Sequence, residues 1–219
     1  MKNKIIIDEQ VDSLNHFEGE LQITKNDCLL HLYGVNKITK LNLLEHSTLT
    51  LQLHDESSLT FEDVWFKENS QITLIINSEN DTKLFLNLVI EAQRDYHLTL
   101  KNNVLGNNNH SNIQVHALTS HSGSIYLKST GLIASHTQNN EFLEELKGLI
   151  LEQKPIVFLP DLMVESDDVN AIHNATIKCI DEMELFYLQS KGIPKKFAID
   201  LIKDGFLQLK NQGGENYES

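Results

Sequence analysis

The chain has 219 residues, with 31 acidic against 18 basic, for a formal net charge of −13 with histidines neutral. That excess argues against a general nucleic-acid or anionic-membrane surface, since both attract positive charge. No apolar run approaches the roughly 20 residues of a membrane span, and Ile5-Ile6-Ile7, followed at once by acid, is too short for a signal-peptide core, so a cytosolic chain is expected.

Residues 1–20 carry little pattern beyond Ile5–Ile7, a candidate edge strand, and form an N-terminal segment. From Leu21 to Leu132 the character changes. Short runs alternate apolar with polar residues, as in Leu49/Leu51/Leu53, Ile72/Leu74/Ile76, Leu84/Leu86/Leu88/Ile90, Ile113/Val115 and Ile125/Leu127. Period-two alternation predicts strands with one face in and one out. Their starts step by about 10 to 15 residues, the spacing of short strands joined by turns.

Two architectures fit this pattern: an antiparallel sandwich or barrel, or a β-solenoid in which each turn stacks on the last. The solenoid is favoured. No Asn-Gly or Asp-Gly hairpin turn falls between Leu21 and Leu132. Asn and Ser crowd the joints, where their side chains bond local backbone. Ser47-Thr48-Leu49-Thr50-Leu51 and Ser57-Ser58-Leu59-Thr60-Phe61 read as one unit copied.

Residues 134–153 stay open between helix and strand: Glu141 to Leu146 suits a helical turn, while Leu149–Leu151 and then Ile156–Leu159 read as strands. Two helices follow, over about 181–191 and 194–209. Asp181 serves as N-cap, with Glu184 at the capping-box spacing. Gly192 closes that helix as a C′ residue, and Pro194 suits the first turn of the next. There Phe197 and Leu201 make one stripe, with Ala198, Ile202 and Phe206 beside it, a broad apolar face. Residues 211–219 form a polar, loose tail.

Chemistry-bearing candidates are few. His173 stands in an otherwise uncharged segment between Asp167-Asp168 and the first helix; it is either a metal ligand or a hydrogen-bonded structural histidine. No histidine belongs to an HExxH or a zinc-spaced Cys/His cluster. Asp167 and Asp168 suit a turn better than acid–base work. Cys28 and Cys179 form no CxxC pair, and both are expected as small buried apolar residues, Cys179 less firmly because it precedes a helix N-terminus. There is no GxxxxGK[ST], no GxGxxG after a strand and no GxSxG elbow; Ser122-Gly123-Ser124 is a joint. A non-enzymatic protein is expected.

The stretch Asp167 to Phe206 resembles the C-terminal signature of the SufB/SufD family of SUF iron–sulfur cluster assembly scaffolds. The resemblance runs through Asp167, Asp168, Val169, Ala171, His173, Ala175 and Thr176. It continues in Asp181, Glu182, Leu185, Phe186, Tyr187, Leu188, Ser190, Gly192 and Ile193, and ends in Ala198, Leu201, Ile202, Gly205 and Phe206. It departs at Ile172, Asn174 and Lys191. It is closer to SufD, because the SufB branch has a cysteine near the position of Asn139 and Asn140. It implies a right-handed parallel β-helix core over residues 21–180 and an ATPase-docking helical segment over 181–210, in a short form without the family's N-terminal helical region. It further implies a non-catalytic scaffold with a SufC-type ABC ATPase and a SufB-like paralogue, or a second copy, as partners. Phe186, Tyr187, Phe197, Leu201 and Phe206 would then be docking anchors. His173 would be an iron or cluster ligand at the subunit interface, the transient iron–sulfur cluster being held mostly by the partner. The alternative is a carbohydrate-binding or carbohydrate-active solenoid. Against it stand a single tryptophan, Trp65, and the lack of a repeated Asp pair.

Overall fold

A computed structural model describes residues 3–66, 71–92, 94–119, 123–151 and 154–208, leaving aside the side chains of residues 63–66 and 208. The Trp65 side chain, His121, Ser122 and the 211–219 tail therefore lie outside the described residues.

The alternating runs form strands. In chain order these are β1 (Asn3–Ile7), β2 (Val11–Asn15), β3 (Glu18–Ile23), β4 (Asp27–Tyr33), β5 (Val35–Asn42), β6 (Ser47–Leu53), β7 (Ser58–Phe66) and β8 (Gln71–Ser78). They continue as β9 (Lys83–Ala92), β10 (Tyr96–Val104), β11 (His110–Thr119), β12 (Ile125–Ile133), β13 (Asn140–Ile150), β14 (Ile156–Val164) and β15 (Val169–Cys179). The odd-numbered strands stack in order in one sheet and the even-numbered strands in a second. Every register between them is parallel. A hairpin-built sandwich would give antiparallel neighbours; this is a parallel β-solenoid, each coil adding one strand to each sheet.

The coils widen along the chain. Glu18 pairs with Lys37, and the Asn36 side chain accepts from the Phe17 N–H 19 residues back. Further on, His110 pairs with Glu141, a step of 31 residues.

Inward positions line up in columns from coil to coil. In the odd sheet one column runs Ile38, Phe61, Leu86, Ile113. In the even sheet another runs Cys28, Leu49, Leu74, Leu100. All eight are buried. Filling each such site with a large apolar side chain stabilises the fold by about 1.5–3 kcal/mol.

The joints are organised differently from the expectation of purely local bonding. Asn80 N–H donates to Asp55 Oδ1, Asn107 N–H to Asn80 Oδ1, and Gln138 N–H to Asn107 Oδ1, at 2.9, 2.9 and 2.8 Å. These bonds link successive coils. Beside them Glu56, Asp81, Asn108 and Asn139 hold φ between 54° and 61°, left-handed turns that Asn and Asp tolerate well.

Two further expectations change, and one open alternative is decided. The coils begin upstream of Leu21, since β1 and β2 join the two sheets; short edge strands exposed on both faces show little alternation. Residues 140–150, left open between helix and strand, form strand β13, as the resemblance implied; Glu144 at an inward position masks the period. Cys179 is exposed, not buried, because β15 is the sheet's edge and no strand covers it.

Two helices follow, α1 (Glu182–Ser190) and α2 (Lys195–Gln208). Asp181 caps α1 by accepting from the Met183 N–H at 2.8 Å. The helix ends with Ile193 N–H on the Leu188 carbonyl and Gly192 N–H on the Gln189 carbonyl, Gly192 at φ 84°, the pairing of a Schellman motif. None of the residues of α1 is buried. In α2, Ile202 and Phe206 pack with Leu118 and Leu149 against the outer face of the odd sheet. His116 Nδ1–H donates to the Phe206 carbonyl at 3.2 Å, and Lys203 pairs with Glu91. No helix of the described residues is long and apolar enough to cross a membrane.

Candidate functional site

The two inward columns change character at the same level of the solenoid. In the odd sheet Ile113 is followed by Glu144 and then His173. In the even sheet Leu100 is followed by Ser129. Glu144 lies on the inward parity of β13, with Phe142 and Leu146 on either side. Its side chain is 1% exposed, and that of His173 is 13% exposed.

The three polar groups meet. Ser129 Oγ–H donates to Glu144 Oε1. Glu144 Oε2 lies 2.8 Å from His173 Nε2. The contact is a close charge pairing. Hydrogen bonding to the Glu144 side chain raises the His173 pKa above the ordinary imidazole value; partial burial opposes the rise, and the charges of Glu144 and Asp161 add to it. A buried carboxylate is costly unless paired, and such groups concentrate at functional sites. Sequence reading picked out His173 but missed Glu144 and Ser129. The available signal was a glutamate at apolar parity, between Phe142 and Leu146.

His173 sits at the solenoid's wide end. Beyond β15 and β14 neither sheet has another described strand. Val157, Leu159, Met163, Val164, Ile172 and Ile177 are exposed along these two edges.

The other residues singled out from sequence separate. Asp167 and Asp168 stand in the joint between β14 and β15, where Asp168 Oδ2 accepts from Asn139 N–H at 3.0 Å; this is a turn role. Phe186, Tyr187, Phe197 and Leu201 are exposed, with Met183 beside them in α1. Phe206 is 5% exposed, and its ring lies 5.3 Å from that of His116. It is therefore corrected from docking anchor to the residue that fastens α2 to the sheet; the outward stripe is Phe197 and Leu201 alone. Among the described residues no group of three or more His, Cys, Asp or Glu is placed to hold a metal ion by itself.

Fold and site together define a parallel β-solenoid with a polar, open last rung and an apolar helical appendage. A family model described as "SUF system FeS cluster assembly, SufBD core domain" matches residues 78–206, which include the rung, α1 and most of α2. The chain belongs to the SufBD family. It is 33% identical over 93 residues to the iron–sulfur cluster assembly protein SufD of Bacillus subtilis (strain 168), 42% of this chain and 21% of that protein. It is 34% identical over 70 residues to an iron–sulfur cluster assembly SufBD family protein of Archaeoglobus fulgidus, 32% of this chain and 19% of that one. A Methanothermobacter thermautotrophicus protein of the same description is 26% identical over 144 residues, 64% of this chain and 34% of the relative. The chain thus spans about a fifth to a third of the length of the curated relatives it matches.

Proposed function

We propose that this chain is a non-catalytic subunit of SUF-type iron–sulfur cluster assembly in the cytosol, with a SufC-type ABC ATPase and a SufB-like paralogue, or a second copy, as partners. The observation that carries this reading is the family match over residues 78–206, which holds the polar rung and the helical appendage together. In this reading His173 offers one imidazole nitrogen to iron or to the growing cluster at the solenoid's open end. Imidazole suits iron, and histidine replaces cysteine on some clusters. The thiolates come from the partner. The iron–sulfur cluster is cargo, handed on rather than kept.

The ATPase docks on Met183, Phe186, Tyr187, Phe197 and Leu201. Aromatic anchors of this kind dominate protein interfaces, and an apolar surface left open on a monomer marks an interaction site. The test is capture of a SufC-type ATPase by the Phe197→Asp/Leu201→Asp chain. Binding is expected to fall at least a hundredfold, with the melting temperature unchanged because neither residue is buried. Unchanged capture would refute the docking assignment. Phe206 is left intact, since changing it would release α2.

A further inference from the structure

Three side chains meet on the outer face of the even sheet, in the narrow half of the solenoid: His31 of β4, His54 just after β6, and Glu79 just after β8. His31 Nδ1 lies 2.8 Å from His54 Nε2, and His54 Nδ1 lies 3.1 Å from Glu79 Oε2. The two imidazole centroids are 5.1 Å apart with 21° between the planes, so the rings meet edge to edge, as an N–H···N bond requires. Tyr33 steadies the middle ring by stacking on His54, centroids 4.3 Å apart and planes at 5°. Gln52 steadies the acid, its Nε2–H donating to Glu79 Oε1 at 3.2 Å. His31 and His54 stand outside residues 78–206, so the family match gives them no role.

The proton count decides what this chain of bonds can do. An ionised carboxylate only accepts, so His54 Nδ1 carries hydrogen. A second hydrogen must lie between His54 Nε2 and His31 Nδ1. The last nitrogen, His31 Nε2, is bare when the pair of rings is neutral and protonated when the pair carries one positive charge. Both bonds survive in those two states. A further proton from solvent puts hydrogen on both facing nitrogens, and two N–H groups at that distance repel. We propose that His31, His54 and Glu79 form an acid-released clasp across three coils, closed while at most one of the two imidazoles is charged and open when both are. Imidazole is the side chain that ordinarily changes charge between about pH 5 and pH 8.

The neighbours in register are uncharged: Ser13 of β2 beside His31, and Asn77 of β8 beside Gln52, with Asn103 of β10 donating to Asn77. The titratable groups nearby are His16, whose Nδ1 accepts from Val35 N–H, Asp55, which accepts from Asn80, Glu56 of the same joint, and Lys101, one outward position before Asn103. The place gives the clasp leverage. In this half the odd sheet is irregular: β5 pairs with β7 over Val35–Ile38, and the register shifts at Gly19/Glu20 and at Phe61/Val64. The even sheet runs in continuous register from β4 to β8, and the clasp ties those strands at their ends.

The test follows the full wild-type chain, labelled with nitrogen-15, from about pH 8 to about pH 5. A coupling through the hydrogen bond should join His31 Nδ1 to His54 Nε2 at the start and vanish as the second ring becomes charged. The His54 and Glu79 amides donate to the Leu32 and Leu53 carbonyls one coil back, and the Ala134 amide makes the same kind of bond with Val104 far from the clasp. After correction for the intrinsic effect of pH, hydrogen exchange at His54 and Glu79 should quicken about tenfold relative to Ala134. In His31→Gln the new amide either donates to His54 Nε2 or accepts from it, and never takes a charge, so both exchange rates should hold steady. Absence of the coupling at the start, or coupling and exchange that persist to the end, overturns the proposal. So does a His31→Gln chain that opens as the wild type does. Should that variant not fold, the wild-type coupling decides alone.

Discussion

Strands β11 and β15 lie in the same sheet, separated only by β13, and share one inward parity. On β11 the inward residues Ile113, Val115 and Ala117 are buried under neighbours on both sides. On β15 the same parity carries His173, Ala175, Ile177 and Cys179, all at least partly open to solvent. The difference is one of coverage. An interior rung is sealed from both sides, so only apolar side chains suit it. The last rung is sealed from one side, so it accommodates a histidine, a thiol and a buried acid beneath.

The strongest test of that contrast applies one truncation to both strands. Ile113→Ala should lower the unfolding free energy by about 2–5 kcal/mol, the usual cost for a fully enclosed aliphatic side chain. Ile177→Ala, 41% exposed, should cost no more than about 1 kcal/mol. Urea unfolding of the two variants measures both; equal losses would mean that the wide end is as well covered as the interior.

A smaller effect is expected from pH. The folded pKa of His173 is raised, first by its contact with Glu144. Its stabilisation is then fully present below the unfolded value of about 6.5 and is lost as pH rises through the folded value. The melting temperature of the wild-type chain relative to His173→Gln should fall as pH rises above about 6.5. Parallel profiles would show that the Glu144 contact contributes nothing to the fold.

The mildest probe changes no residue. Burial, and then the charge of Asp12, push the Cys28 thiol pKa up, whereas Cys179 stands exposed on β15. A maleimide should label Cys179 at once and Cys28 only on unfolding, because the thiolate is the reactive form. Mass spectrometry after brief exposure counts the adducts; two fast ones would contradict the sealed interior.

Much of the solenoid was legible because its inward face repeats every second residue. Leu49, Leu51 and Leu53, read as one face of a strand, are all completely buried. The Schellman end at Gly192 and the cap at Asp181 were legible for the same reason: their partners lie within a few residues. What escaped depends on contacts a whole coil away. Glu144 reads as ordinary surface charge until His173, 29 residues on in the register of β15, is placed against it. Phe206 and Phe197 share one helix, and only the position of His116 and Leu118 beneath decides which of them is covered. The joint asparagines bond across coils of up to 31 residues, a register that local turn chemistry does not reveal.

The widening of the coils, from 19 to 31 residues per step, has a consequence for polymerisation. A parallel sheet with flat apolar edges, such as those of β14 and β15, ordinarily invites endless addition of further chains. Endless addition needs the bottom of one molecule to match the top of the next, and here a small ring would have to sit on a large one. Only ends of equal girth can continue each other's sheets, so a broad end is matched by another broad end. The taper thus limits growth by geometry, and Pro160 and Asp161, exposed in the middle of the β14 edge, act in the same direction.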